Sequence, residues 1–243
     1  METMMWGNGT FRPCRIYRSA KEAKDVRYDY IICANKASWD DVSSFVDELA
    51  HTVTPNTTIV AFQNGIGIEQ QLRKAFPRNS ILSAICYVAC IQEPLGTVQQ
   101  TAQIRPHAFH VGRYKQGSTD PAADQASLEE FVSLADGFKL APDIQTERWA
   151  KLIFNGAWSP TTAISGMDTQ QIIHGSVSHL RLVHKLAREV FEVAAKGGFP
   201  LPADIEHTTF EAVAKSAPII PSMLQDARKG RPMEIEALCG MHS

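Results

Sequence analysis

Long apolar runs, paired cysteines and an excess of one charge are all missing from this chain. No stretch approaches the ~20 apolar residues that a membrane-spanning helix requires, so no membrane role is expected. The 243 residues carry a formal net charge of −2, which offers little attraction to nucleic acid or to an anionic bilayer. Five cysteines, at positions 14, 33, 86, 90 and 239, are scattered and odd in number. A disulfide framework is therefore not expected. Cys86 and Cys90 stand four apart, but no second pair or nearby histidine completes a metal site. Reduced thiols in the cytosol are the reading that remains. The opening residues, from Met1 to Asn8, lack the basic end and apolar core of a signal peptide, so a cytoplasmic protein is expected. Internal repeats and low-complexity tracts are absent too.

What is present is an ordinary globular composition, 44% hydrophobic and 21% charged. Residues 29–34 form a short apolar run rich in strand formers, which fits a strand buried on both faces. Ser38 reads as a helix N-cap with Asp41 three residues on, followed by Val42, Phe45, Val46, Leu49 and Val53 at helical spacing. Residues 57–62 are the next strand, Asn64-Gly65 breaks it, and Gly67 leads into a helix ending near Pro77. Residues 81–89 are again strand-like. This alternation implies βαβ units. Pro94 to Gly96 marks a turn between runs 85–90 and 97–104, with residues 107–112 as a further strand, all read as antiparallel. Residues 122–136 are helical, and Pro142 lies at a boundary.

Beyond about residue 144 the strand-like runs stop. Residues 178–196 are an amphipathic helix with Val183, Leu186, Ala187, Val190 and Ala194 on one side, ended by Gly197-Gly198. Another helix covers about 203–215. The fold class is thus α/β: an α/β domain, residues 1–143, followed by an all-helical domain, residues 144–243.

The chemistry concentrates in residues 147–163. Lys151, Asn155 and Ser159 fall four apart, and four helical residues turn about 400°, so the three polar groups share one face. Trp149, Leu152, Ile153, Phe154 and Trp158 leave little else polar there. A lysine ammonium is protonated at neutral pH and can give a proton without any shift. The plain alternative is a snorkelling surface lysine with solvated neighbours. Pro160 interrupts the i to i−4 ladder near Gly156 and predicts a kink.

Three further elements are weaker. Gln63-Asn64-Gly65-Ile66-Gly67 follows a strand, where ligands of open α/β sheets bind, although Asn-Gly is also a common turn. Asn35-Lys36 ends the strand before it. Ser222 opens the segment Ser222-Met-Leu-Gln-Asp226 as a helix N-cap, and Glu234 follows Pro232 as a first-turn acid.

In order and wording together, these elements resemble the ketopantoate reductase (2-dehydropantoate 2-reductase) family. The matching words are Ala34-Asn35-Lys36-Ala37, Gln63-Asn64-Gly65-Ile66-Gly67, Trp149-Ala-Lys151-Leu-x-x-Asn155, and Ser222-Met-Leu-Gln-Asp226 with Glu234-Ile235-Glu236, spread from about Trp6 to Gly240. The resemblance implies an oxidoreductase that reduces the keto group of 2-dehydropantoate, on the route to pantothenate and coenzyme A, with NADPH as cofactor. It makes Lys151 the general acid. It makes Asn155, Ser159 and Ser222 substrate-binding, and Lys36, Asn64, Ala89 and Glu234 cofactor-binding. The partner is a small 2-oxo acid, with no metal and no nucleic acid, and a homodimer is left open.

Two departures qualify the likeness. At Ser159 the family pattern often has an asparagine, and a hydroxyl cannot present an amide's paired donor and acceptor. That leaves open a related reductase of another 2-oxo acid. The family also opens with a βαβ unit carrying G-x-G-x-x-G, a motif found nowhere in these residues. The resemblance therefore implies that residues 1–143 are an incomplete Rossmann-type dinucleotide-binding domain, the chain being expected to start midway through it and to stop short at its far end. On that expectation the edge of strand 29–34 is exposed, NADPH binding by these residues alone is poor, and an inactive fragment becomes the third reading.

Overall fold

The computed structural model describes residues 2–3, 7–37, 42–92, 96–103 and 105–240. The expected cap at Ser38 and Asp41, and the turn at Pro94 and Leu95, lie outside them. The described residues form two compact units.

The first unit holds every strand. Its larger sheet contains β3 (Tyr30–Cys33), β4 (Thr58–Ala61), β5 (Ile81–Cys86), β8 (Phe109–Arg113) and β9 (Phe138–Leu140), in that order. β3, β4 and β5 run parallel, with α1 (Val42–Ala50) and α2 (Ile68–Ala75) as the intervening helices. This is the βαβ pattern read from the sequence. β8 pairs antiparallel with β5, and β9 parallel with β8. A smaller sheet joins β1 (Glu2–Thr3), β2 (Gly7–Asn8), β6 (Val88–Gln92) and β7 (Val98–Gln103) in the order β2-β1-β7-β6.

Two strand readings need correction. Residues 81–89 are not one strand, because the chain leaves the larger sheet after Cys86 and enters the smaller one at Val88. Tyr87 lies between them, buried, with its N–H donated to the Ala108 carbonyl at 2.7 Å. An unbroken apolar run carries no signal for such a switch. Strand β3 is not buried on both faces either. It is the outer strand of its sheet among the described residues, and Ile32 is 54% exposed. β4, with neighbours on both sides, is buried at all four positions. The packing of this unit centres on Val60, Leu82, Ala84 and Val111 of the sheet, against Leu128 and Phe131 of α3 (Pro121–Ser133).

The second unit is helical: α4 (Ile144–Ser165, assigned to this unit from Gln145), α5 (Thr169–His174), α6 (Val177–Lys196), α7 (Ile205–Ala214), α8 (Ser222–Arg228) and a last π-helical turn, Glu236–Gly240. Its core packs Leu152, Ile153, Ala157 and Trp158 of α4 against Val183, Ala187, Val190 and Ala194 of α6. Gly156 permits the contact. A Cβ there would stand 2.9 Å from Val190 Cγ2. The helix runs on through Pro160. The ring removes the donor to the Gly156 carbonyl, while nearby hydroxyls add local bonds, Thr161 to the Ala157 carbonyl at 2.7 Å and Ser165 to that of Thr161 at 2.8 Å.

Two loops belong with this helical unit although they follow strands in sequence. They are the segment at Asn35–Ala37, after β3, and Asn64–Ile68, after β4.

Candidate active site

Those two loops meet the helical unit through two polar clusters. In the first, Lys36 Nζ donates to Asp226 Oδ2 at 2.6 Å and lies 3.4 Å from Glu234 Oε2. The Ala37 N–H donates to Glu234 Oε1 at 2.9 Å. Arg231 Nη2 reaches the other oxygen of Asp226 at 2.8 Å. The two carboxylates are buried while the two cations are about half exposed. Buried carboxylates persist when their oxygens have cations or N–H donors within reach, and here all four do.

In the second cluster, Lys151 Nζ donates to Asn64 Oδ1 at 2.7 Å. Three residues earlier on α4, the buried Arg148 donates from Nη1 to the Gly65 carbonyl at 3.1 Å. From the opposite end of the unit, the Ala237 carbonyl accepts the Ile66 N–H at 3.3 Å. Gly65 adopts φ +98°, and a Cβ there would lie 2.9 Å from the Ala237 carbonyl carbon. The Asn-Gly pair is therefore more than a free surface turn. It is fastened from two sides, and only glycine fits.

The polar face of α4 is mostly inside. Asn155 is 9% exposed and Ser159 only 2%. The snorkelling alternative with solvated neighbours does not hold, because the apolar residues around the face pack it inward.

Family models match nearly the whole of this arrangement, "Ketopantoate reductase PanE/ApbA" over residues 6–116 and "Ketopantoate reductase PanE/ApbA C terminal" over 143–242. The chain belongs to the ketopantoate reductase family. A solved 2-dehydropantoate 2-reductase from Methylococcus capsulatus is 31% identical with a TM-score of 0.77, over 97% of this chain and 73% of the other. An uncharacterized protein of Saccharomyces cerevisiae is 27% identical over 95% of this chain and 70% of its own length. A ternary structure of D-mandelate dehydrogenase with NADH and anilino(oxo)acetate shares the fold, at 19% identity and a TM-score of 0.74. The chain is thus a ketopantoate reductase-like oxidoreductase that spans about 70% of such relatives.

Within this family member the expected residues are placed unevenly. Lys151 meets Asn64, and Lys36 meets Glu234. Asn155 and Ser159 share the helix face of Lys151 by phase. Ser222 is the first residue of α8, four before Asp226. It is not the N-cap: Pro221 holds that position, with no side-chain cap bond. Ala89 sits in β6 of the strand unit, where its carbonyl accepts from Thr101 Oγ1 at 3.4 Å. Glu234 lies just before the last helical turn rather than in it, its carbonyl accepting the Leu238 N–H at 3.2 Å, and the acid of that first turn is Glu236.

Sequence reading passed over Asp226, Arg231 and Arg148. Asp226 had a signal, its four-residue spacing from Ser222. Arg231 had a fainter one in Gly230, which takes φ +61° as the chain turns back on α8. Arg148 had none, since an arginine after Glu147 reads as solvated. Among the described residues no group of three or more potential metal ligands occurs, and no helix is long and apolar enough to cross a membrane.

Proposed function

We propose that the chain reduces a small 2-oxo acid, 2-dehydropantoate first among them, with NADPH as cofactor and Lys151 as general acid. The observation that carries this reading is the 2.7 Å bond from Lys151 Nζ to Asn64 Oδ1. It holds an ammonium on the loop at the carboxyl end of β4, where α/β sheets bind ligands.

The residues present suit the nicotinamide end of a dinucleotide. Asn64 adds an amide donor beside its occupied oxygen, and Glu234 and Lys36 supply an acceptor and a cation. No G-x-G-x-x-G occurs in the 243 residues, so none of them is assigned to the pyrophosphate. When bound, the nicotinamide supplies a hydride to the carbonyl carbon.

The chain's own groups do the rest. The Lys151 ammonium faces the oxygen on which negative charge develops, stabilises it and then transfers its proton. Asn64 Oδ1 aims that ammonium. Asn155 donates to the substrate's oxygens and Ser222 to its carboxylate end. Ala89 is assigned to the cofactor.

A second reading, a related reductase of a different 2-oxo acid, is favoured by Ser159. At 2% exposure its hydroxyl replaces an amide on the substrate face. The test is NADPH oxidation by the purified chain against a panel of 2-oxo acids, with Lys151→Ala beside it. General-acid loss is expected to lower turnover on the order of 100-fold or more. Equal turnover in the variant removes Lys151 from the role, and no turnover with any 2-oxo acid by a chain that has NADPH bound removes the reductase reading.

A further inference from the structure

Arg148 is a buried guanidinium in a helix whose other buried side chains are uncharged. Taking such a charge from water is unfavourable unless it makes strong, directed bonds. One of those bonds goes to a backbone carbonyl, that of Gly65. The next residue back, Asn64, accepts from Lys151. Arg148 and Lys151 lie three apart on α4, so they project from neighbouring turns of one face. Two side chains of one helix therefore grip two consecutive residues of one loop.

The loop is also held at Ile66, whose side chain is buried in the helical core. Gly65 and Gly67 both take positive φ, at +98° and +78°, where glycine is least restricted by sterics. The Ile66 N–H in addition donates to the Ala237 carbonyl. Asn64 precedes all of these in the chain. The Gly65 carbonyl and the Ile66 N–H belong to one peptide, the one that follows Gly65. Without the bond at its carbonyl that peptide is held less firmly, the backbone torsions of Gly65 gain freedom, and Asn64 Oδ1 loses its register with Lys151.

We propose that Arg148 is a positioning residue: its bond to the Gly65 carbonyl fixes Asn64, and Asn64 in turn aims the Lys151 ammonium. As a statement about catalysis this rests on the reductase reading. As a statement about the loop it does not.

The Asn64-Gly65 pair supplies a readout free of turnover. In a mobile Asn-Gly sequence the glycine nitrogen attacks the asparagine side-chain carbon and expels ammonia. Water then opens the succinimide to aspartate or isoaspartate. The reaction needs the peptide to rotate, so a held loop suppresses it. The experiment compares the whole chain with Arg148→Met and Arg148→Lys, the latter keeping a charge and a donor should the methionine variant fail to fold. Mass spectrometry follows deamidation of the Asn64 peptide during mild alkaline incubation. Deamidation is expected to be several-fold faster in Arg148→Met and intermediate in Arg148→Lys. In the 2-oxo acid assay kcat is expected to fall on the order of tenfold for Arg148→Met, as for a slightly misplaced catalytic group, with the 2-oxo acid KM little changed. Unchanged deamidation in a folded variant overturns the proposal whatever the assay gives. Faster deamidation with unchanged kcat in an active enzyme overturns the catalytic half. A wild-type chain that has NADPH bound and reduces no 2-oxo acid defeats the reductase reading alone, and the deamidation rates still decide the role of Arg148 in the loop.

Discussion

At Asp226 two cations share one carboxylate, and the three groups differ in their access to water. Asp226 is almost fully buried while Lys36 and Arg231 are half exposed. Removing the acid leaves cations that water can solvate. Removing Lys36 leaves a buried carboxylate with less compensation, and also takes a donor from Glu234. Asp226→Ala is therefore expected to cost about 1–2 kcal/mol and Lys36→Met about 3 kcal/mol, in line with the penalty for an under-compensated buried charge. Urea unfolding of the two variants checks the order, and a larger loss for Asp226→Ala would refute it. The residues of the second cluster were partly legible. Lys151 stood out because a lysine amid tryptophan, leucine and phenylalanine breaks the pattern. Arg148 did not, because one more charge beside Glu147 matches a solvated face.

The helix α4 shows what periodicity can and cannot deliver at the scale of an element. A spacing of four is enough to put Lys151, Asn155 and Ser159 on one face. The burial of that face followed from packing against α6, which needed Gly156 to admit Val190. The loop after β4 is similar. Its glycines announced a turn, but the reason for glycine at position 65 is the Ala237 backbone. Gly65→Ala is expected to destabilise the chain by at least about 1–3 kcal/mol from the positive φ alone, with the Ala237 contact adding to it. A thermal melt unchanged within error would show that the loop yields. Among the described residues strand β3 is the outer strand of its sheet, with Ile32 half exposed. Ile32→Lys is expected to reduce self-association of the chain at high concentration, read by light scattering, since charge on an edge strand opposes further pairing.

Titration and thiol chemistry report on the molecule as a whole. Burial pushes the Cys33 thiol up to about 12. The phenol of Tyr30 is pushed up to about 12 by burial and then by Glu130. That of Tyr114 rises to about 12 by burial and then by the charge of Glu69. In the unfolded chain these groups ionise near their ordinary values of 9 and 10. Between those values and 12 the folded form holds more protons, so their contribution to stability is intact below about pH 9 and declines as pH rises toward 12. Denaturation midpoints that stay level from pH 8 to pH 11 would contradict this. Cys14, Cys90 and Cys239 are exposed, Cys86 is intermediate and Cys33 is buried. A thiol reagent is accordingly expected to label Cys33 only on unfolding.

The order of strands, helices and motif words was set by sequence alone, because hydrophobic period and turn chemistry are local properties of the chain. The lysine, the asparagine loop and the glutamate were legible for the same reason. Tertiary structure alone decided which of them meet. Lys36 finds Asp226 across 190 positions and Lys151 finds Asn64 across 87. Hydrogen bonds of under 3 Å over such separations depend on how loops and helix ends are held in space, and no periodicity along the chain encodes that.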